Sequence, residues 1–257
     1  CVKHVPDLQS DRRFTEAGLV DRSQGDGTLN ELDENALEAA LDLAESLDAQ
    51  VTVLTVGPAD AEDAVRRGLQ MGADDAVHVC DDALAGSDVF GTAAVLAAAI
   101  RLIGTRSPVQ LVMTGMAALD ALTSMLPAAL AAELDLPQLT LAAHVEVADG
   151  AVTVRRDLDH ATEVLTAPLP ALVSVTDQAN DPRYPNFKGI MAARKKPVET
   201  LTLADLGIDP TTVGLSGART QVLDATERPA REDRVLITDD GEAGLRLAAY
   251  LVDNKLV

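Results

Sequence analysis

Aromatic residues are scarce in this 257-residue chain: Trp is absent, and two Tyr and three Phe make up 2% of the sequence. A core must therefore be assembled from Ala, Val and Leu, within a hydrophobic content of 47%. Cysteine is nearly lacking too. Cys1 and Cys80 give neither a disulfide framework nor metal spacing, and His4, His78, His144 and His160 are scattered, so no metal site is expected. The apolar run from Ala93 to Ile100 is too short to span a bilayer, and no secretory pattern opens the chain, so a cytoplasmic protein is expected. Positive charge is short: 21 basic residues face 41 acidic ones, a formal net charge of -20. That excludes nucleic acid as a general partner, because a phosphate backbone would be repelled. The only lysines are Lys3, Lys188, Lys195, Lys196 and Lys255. Acid excess, little lysine and few aromatics are the composition expected of a protein kept soluble in concentrated salt, as in a halophilic archaeon. Also missing are a Walker motif, a Gly-x-Gly-x-x-Gly fingerprint after a strand, and a Ser/His/Asp arrangement in believable context. No catalytic residues are expected.

What is present is an alternation of strand and helix signals up to about Pro137. Asp33 to Leu47 places Leu37, Ala40, Leu41, Ala44 and Leu47 at helical spacing. Val51 to Val56 is an apolar strand pattern closed by Gly57-Pro58. Ala61 to Met71 reads as a helix, Ala76 to Val79 as a strand, Phe90 to Ile103 as a helix and Val109 to Met113 as a buried strand. A further helix is expected from about Ser124 to Leu134. Cys1-Val2-Lys3 reads like the end of a strand whose beginning lies upstream. Such alternation argues for βαβ units and a parallel sheet, whose ligands sit beyond the carboxyl ends of the strands. The loops to watch are Pro6 to Leu32, Gly57 to Asp60 and Gly115 to Thr123.

After Pro137 the pattern changes. Val145 to Val147 and Ala151 to Arg155 flank Asp149-Gly150, a hairpin signal, and Glu163 to Thr166 and Ala171 to Val175 are further strand-like runs. They predict an antiparallel extension of the sheet. Pro197 to about Asp233 has no clear period and reads as an extended arm or linker, followed by a terminal helix from Glu242 to Val252.

Two segments could carry function. Gly115 to Asp120 follows a buried strand and precedes a helix, a geometry in which backbone N–H groups bind phosphate, although many strand-to-helix turns look the same. Asn30 to Asp33 reads as a plain helix start with Asp33 as its cap. The other segment, Arg183 to Lys196, sets Phe187, Ile190 and Met191 beside Arg194, Lys195 and Lys196. It reads equally as an apolar anchor ringed by steering charge or as an ordinary solvated loop.

At this point the chain resembles a known family, the β subunit of electron-transfer flavoproteins. The resemblance rests on Asn30 to Leu41 (NELDENALEAAL), Val51 to Pro58 (VTVLTVGP), Gly68 to Val79 (GLQMGADDAVHV), Leu111 to Met116 (LVMTGM) and above all Leu169 to Val198. It runs from Cys1 to about Leu206. The resemblance implies an α/β fold with a doubly wound, mostly parallel sheet of the adenine-nucleotide α-hydrolase-like type. Residues 1–196 would form that domain, with a recognition loop at 181–196. Residues 197–257 would form a C-terminal arm and helix packing on an α subunit. It further implies a heterodimer in which the α subunit holds most of the FAD site. Such a heterodimer takes electrons from flavin dehydrogenases and passes them to a membrane quinone reductase. Phe187 falls at the family's anchor position, with Arg183, Tyr184, Ile190, Met191, Arg194, Lys195 and Lys196 around it.

Such subunits also hold AMP, or a second FAD in bifurcating members. By position the contacts map to Cys1, to Asn30, Glu31, Leu32 and Asp33, and to Val56. They continue through Gly115, Met116, Ala117, Ala118, Leu119, Asp120, Ala121, Leu122, Thr123, Ser124, Met125, Leu126 and Pro127. Here the chain departs from the family's Gln-Ser-Thr-Asp-Gly-Asp-Thr-x-Gln: Ala117, Ala121, Leu122 and Met125 replace Gln, Gly, Asp and Gln. Glu31-Leu32 replaces Pro-Phe. Nucleotide binding is therefore expected to be weakened or lost, the loop to be a packed apolar turn, and bifurcation to be disfavoured. A stand-alone adenine-nucleotide-binding module of the universal-stress-protein type is the competing reading.

Overall fold

A computed structural model describes the chain apart from Leu8, Asp11, Arg12, Ala17, 23–26, Glu227 and 230–233. Part of the loop between Pro6 and Leu32, and Asp233 at the end of the aperiodic stretch, thus lie outside the described residues. The chain divides into two compact units, Cys1–Leu223 and Asp224–Val257.

The first unit begins with β1 (His4–Pro6), β2 (Gly27–Leu29), α1 (Glu31–Leu47), β3 (Thr52–Val56), α2 (Glu62–Met71) and β4 (Asp75–Val79). It continues through α3 (Val89–Gly104), β5 (Leu111–Gly115), α4 (Leu126–Leu134), β6 (Gln138–Ala142) and β7 (His144–Ala148). Next come β8 (Ala151–Leu158), β9 (Ala161–Pro168), β10 (Ala171–Val175), α5 (Phe187–Ala193), β11 (Glu199–Leu201) and α6 (Gly214–Gly217). The second unit carries α7 (Ala243–Asp253), with Leu245, Leu247 and Val252 exposed.

Three strands pair in parallel in the order β11-β4-β3, and three more in the order β5-β10-β6. A separate antiparallel sheet has the order β7-β8-β9. Cys1 and Val2 join the two parallel ladders. The Val2 N–H donates to the Leu54 carbonyl at 2.8 Å and the Cys1 nitrogen to the Met113 carbonyl at 2.7 Å, as the end of a strand between β3 and β5 would.

Residue alternation along the strands decides which helix each side chain meets. Leu54, Val77, Val79, Val112 and Leu172 pack with Val95, Leu96 and Ile100 of α3 and Leu130 of α4. Val53 and Ala76 face the other way, onto Leu37 and Leu41 of α1 and Val65 and Leu69 of α2. Met113, Val173 and Val175 join Ala36 and Ala39 of α1. Parallel strands are thus covered on both faces, by helices and, around Val173 and Val175, also by Val152 and Val154 of β8, in a core built almost wholly from Ala, Val and Leu, as the shortage of aromatics requires.

Three expectations change. The β10 run was grouped with the antiparallel extension, but it lies between β5 and β6 and parallel to both. All five of its residues are buried, whereas β7 and β9 keep one face to solvent; a strand covered on both sides reads as a continuous apolar run. The helix expected from Ser124 starts at Leu126, because Ser124 has φ +51° and Pro127 suits only a first turn. Asn30, not Asp33, occupies the cap position of α1. The hairpin at Asp149-Gly150 forms as read, with φ of +52° and +75°. The aperiodic stretch enters the fold earlier than its composition suggests: β11 pairs with β4, and Asp88 accepts the Arg219 and Thr220 N–H groups while capping α3.

Candidate functional site

Val175 lies opposite Gly115 in the β5–β10 ladder, so the chain leaves these two strands side by side at their carboxyl ends. Two loops depart from there, 116–125 toward α4 and 176–186 toward α5.

The first loop is folded back on the start of α1. The Asn30 side chain bridges it from both sides: Nδ2 donates to the Ala117 carbonyl at 2.9 Å, and Oδ1 accepts the Leu119 N–H at 3.0 Å. Asp33, also buried, accepts the Gly115 N–H on one oxygen and the Lys3 N–H on the other. Burial pushes the Asp33 carboxyl up to about 6, against the pull of the bonds from Asn30, Lys3 and Gly115. Gly115 is required by space: a Cβ there would sit 2.6 Å from the Leu32 carbonyl oxygen and from Asp33 Oδ1. The Ala121 and Leu122 N–H groups both donate to the Ala118 carbonyl.

Asp120 closes the loop electrostatically. Its side chain is 1% exposed and receives Lys3 Nζ at 2.9 Å and the Arg22 guanidinium. Burial alone would raise its pKa, but these two cations and their hydrogen bonds hold it below the usual carboxylate range. Neither Lys3 nor Arg22 was singled out in the sequence. Only the fold brings them to Asp120, and no local pattern marks the meeting.

The structure gathers the nucleotide-position residues at one end of the sheet. Cys1 and Val56, both half-buried, pack against the same core cluster, and Asn30 and Asp33 hold Gly115 to Leu119. Glu31 is exposed and Leu32 half-buried. Met116, Ala118 and Leu119 are half-buried and Ala117 is buried; Ala121, Thr123 and Ser124 are exposed, Leu126 half-buried and Pro127 buried. The packed apolar turn holds only for the first half of the loop, since Leu122 is 63% and Met125 47% exposed. Leu122 and Ser124 adopt left-handed φ angles of 52° and 51°, which turn the chain outward once the backbone bonds to Ala118 are made. The polar side chains here are already engaged: Asn30 is used at both ends, and Lys3 and Arg22 pair with Asp120. The exposed Glu31 adds negative charge. Among the described residues no cluster of His, Cys, Asp or Glu could hold a metal ion, and no helix is long and apolar enough to cross a membrane.

The second loop presents side chains instead of hiding them. Asn186 caps α5 through Gly189 N–H at 2.8 Å, and Gly189 lets that helix approach α2, where a Cβ would come within 2.7 Å of the Gln70 carbonyl oxygen. Lys196 Nζ donates to the Ala73 carbonyl at 2.7 Å, and its own carbonyl accepts from Arg66. Held in this way, the loop exposes Tyr184 (90%), Phe187 (79%) and Met191 (40%), together with Lys188, Arg194 and Lys195. Ile190 is half-buried. Arg183 is turned inward to Glu38, Asp42 and Glu45 of α1, a carboxylate stripe that sequence reading passed over although its spacing of four and three puts it on one helix face.

Comparison with known proteins gives the family. Residues 18–206 match the family model described as "Electron transfer flavoprotein domain". The chain is 42% identical to the electron transfer flavoprotein subunit beta of Mycobacterium tuberculosis H37Rv, over all of this chain and 97% of the relative. It is 33% identical to the corresponding subunit of Megasphaera elsdenii, over all of this chain and 98% of the relative. It is also 34% identical to the caffeyl-CoA reductase-Etf complex subunit CarD of Acetobacterium woodii, over 93% of this chain and 90% of the relative.

Proposed function

This chain belongs to the electron-transfer flavoprotein family as a β subunit, a non-catalytic electron-carrier subunit, and from that premise we propose how it divides its work. Its β subunits pair with an α subunit, and the flavin is the redox group of the pair. In our reading residues 1–196 of this chain form an adenine-nucleotide α-hydrolase-like scaffold, and the α subunit holds most of the FAD. The segment after Pro197 and the apolar residues of α7 (Leu245, Leu247, Val252) contact that subunit. The flavin supplies the electron chemistry. This chain's residues position: they shape a wall beside the flavin and present the loop 181–196 to flavin dehydrogenases. Electrons then pass toward a membrane quinone reductase.

The observation that carries this reading is Phe187, 79% exposed at the start of α5, in a segment tied down by Arg183 on one side and Lys196 on the other. A large apolar side chain held in water on a fixed backbone is the form of an interface anchor. Lys188, Arg194 and Lys195 stand around it on a chain of net charge -20, so the partner pocket should be apolar with an acidic rim. The CarD relative, a subunit of a reductase-Etf complex, supports association with a redox enzyme. A stand-alone nucleotide module would have no use for such an anchor.

The loop after β5 supports the further reading that this subunit carries no AMP and no second FAD. Co-expression with the α subunit, followed by mass spectrometry of the nucleotides released on denaturation, tests it. One FAD per heterodimer without AMP is expected. Stoichiometric AMP would overturn the closed-site reading, and failure of any α subunit or flavin to co-purify would overturn the heterodimer reading. Replacing Phe187 by Ala should cut dehydrogenase-coupled flavin reduction while the heterodimer still assembles.

A further inference from the structure

We propose that Arg183 is a positioning residue: clasped by three carboxylates of α1, it fixes the docking loop so that Tyr184 and Phe187 meet a partner already in place. The inference rests on the docking-loop reading above.

The clasp follows from helix geometry. Asn35, Glu38, Asp42 and Glu45 are spaced three, four and three residues apart, which puts them in one stripe along α1. The segment after β10 lies along this stripe. Asn35 and Asn180 exchange hydrogen bonds: Asn35 Nδ2 donates to the Asn180 carbonyl at 2.9 Å, and Asn180 Nδ2 to the Asn35 carbonyl at 3.0 Å. Arg183 then engages Glu38 through its backbone N–H at 2.8 Å and through Nε at 2.9 Å. Its Nη2 reaches Asp42 at 3.0 Å and its Nη1 reaches Glu45.

Exposed ion pairs alone contribute little, and Asp42 and Glu45 are of that kind. Glu38 differs, because its side chain is only 8% exposed. Removing the guanidinium leaves that carboxylate buried with a single backbone donor from Arg183, which favours release of the loop. On the far side the chain is fixed again by Gly189 against α2, and Arg67 lies over the Tyr184 ring at 5.8 Å. Tyr184 and Phe187 therefore sit on a short span between two posts. A loop ordered before contact spares the ordering cost that binding would otherwise carry.

The test uses the α/β heterodimer and a flavin dehydrogenase of the host that reduces it. Arg183→Met should raise the KM for the heterodimer about tenfold and leave kcat near wild type, because the redox group is untouched. Amide exchange over 184–193 should accelerate in the same variant. In a Phe187→Ala background, Arg183→Met should add little, since no anchor remains to position. If Arg183→Met does not fold, the double variant Asp42→Asn/Glu45→Gln keeps Glu38 paired; it should raise KM about two- to threefold at low salt and not at 1 M salt. An unchanged KM in these variants, with Phe187→Ala still impaired, would overturn the positioning role and leave the docking reading intact. Additive losses in the Phe187→Ala background would also overturn it, by showing that Arg183 acts apart from the anchor. No effect of Phe187→Ala itself would instead remove the docking reading.

Discussion

The loops after β5 and β10 leave neighbouring strands at the same end of one sheet, and they reach opposite ends. The β5 loop spends its polar groups on itself: Asn30 holds it twice, and Asp120 takes the nearby cations Lys3 and Arg22. The β10 loop spends its polar groups on α1 and α2, which leaves Tyr184, Phe187 and Met191 facing solvent. A position beyond the carboxyl ends of parallel strands is thus only an opportunity for a ligand. Whether the opportunity is used depends on where the charged side chains find their partners.

The largest effect expected from breaking this contrast is on the outward loop. Phe187→Ala should lower kcat/KM for dehydrogenase-coupled reduction roughly thirtyfold, the scale of an interface hot spot of about 2 kcal/mol, with an unchanged thermal midpoint. An equal loss from Leu122→Ala in the β5 loop would erase the distinction between the two.

The next largest effect belongs to the inward loop. Gly115→Ala forces a Cβ against the Leu32 carbonyl and Asp33, and should destabilise the fold by about 1–3 kcal/mol in chemical denaturation. A neutral result would show that the β5 loop is not held against α1.

Acid offers a gentler lever. The pKa of Asp120 is depressed in the fold, so its contribution to stability is complete above the unfolded carboxylate value of about 3.9 and is lost as pH falls through the lower folded value. Lys3 and Arg22 are partly exposed, so solvent screening limits the effect to about 1 kcal/mol or less. Denaturation curves of wild type and Asp120→Asn should differ at pH 7 and converge at acid pH. A constant difference at all pH values would mean that the charge of Asp120 is not what closes the loop.

The smallest effect runs the other way. Leu122 is exposed at φ +52°, so Leu122→Gly relieves a strained backbone and loses little burial; a gain of about 0.5 kcal/mol is expected after the added chain entropy of glycine. Destabilisation would show that the Leu122 side chain is used within the subunit.

Much of this architecture could be read in advance. Apolar spacing located α1 and α3, the β3 run was evident, and Asp149-Gly150 announced its hairpin. The β10 run was recognised as a strand, yet its composition could not name its neighbours, because a continuous apolar run says that both faces are covered and not by what. At the site, the replacements at Ala117, Ala121 and Leu122 drew attention to the β5 loop. They did not reveal Asp120 as its electrostatic lock, for Lys3 lies 117 residues away in sequence and Arg22 lies 98 away. The family resemblance places Arg183 among the docking residues around Phe187. The direction of Arg183 was settled by a helix 138 residues upstream at Glu45.

By itself, then, the sequence determined the periodic elements, the turn residues, the Ala/Val/Leu core and the family motif. Each of these rests on short-range sterics or on the alternation of apolar positions, which a local stretch fully specifies. Only the tertiary structure decided which carboxylates Lys3, Arg22 and Arg183 would meet. Charge pairing is set by distance in space, and a chain with so large an acid excess offers nearly every cation several candidates until folding chooses among them.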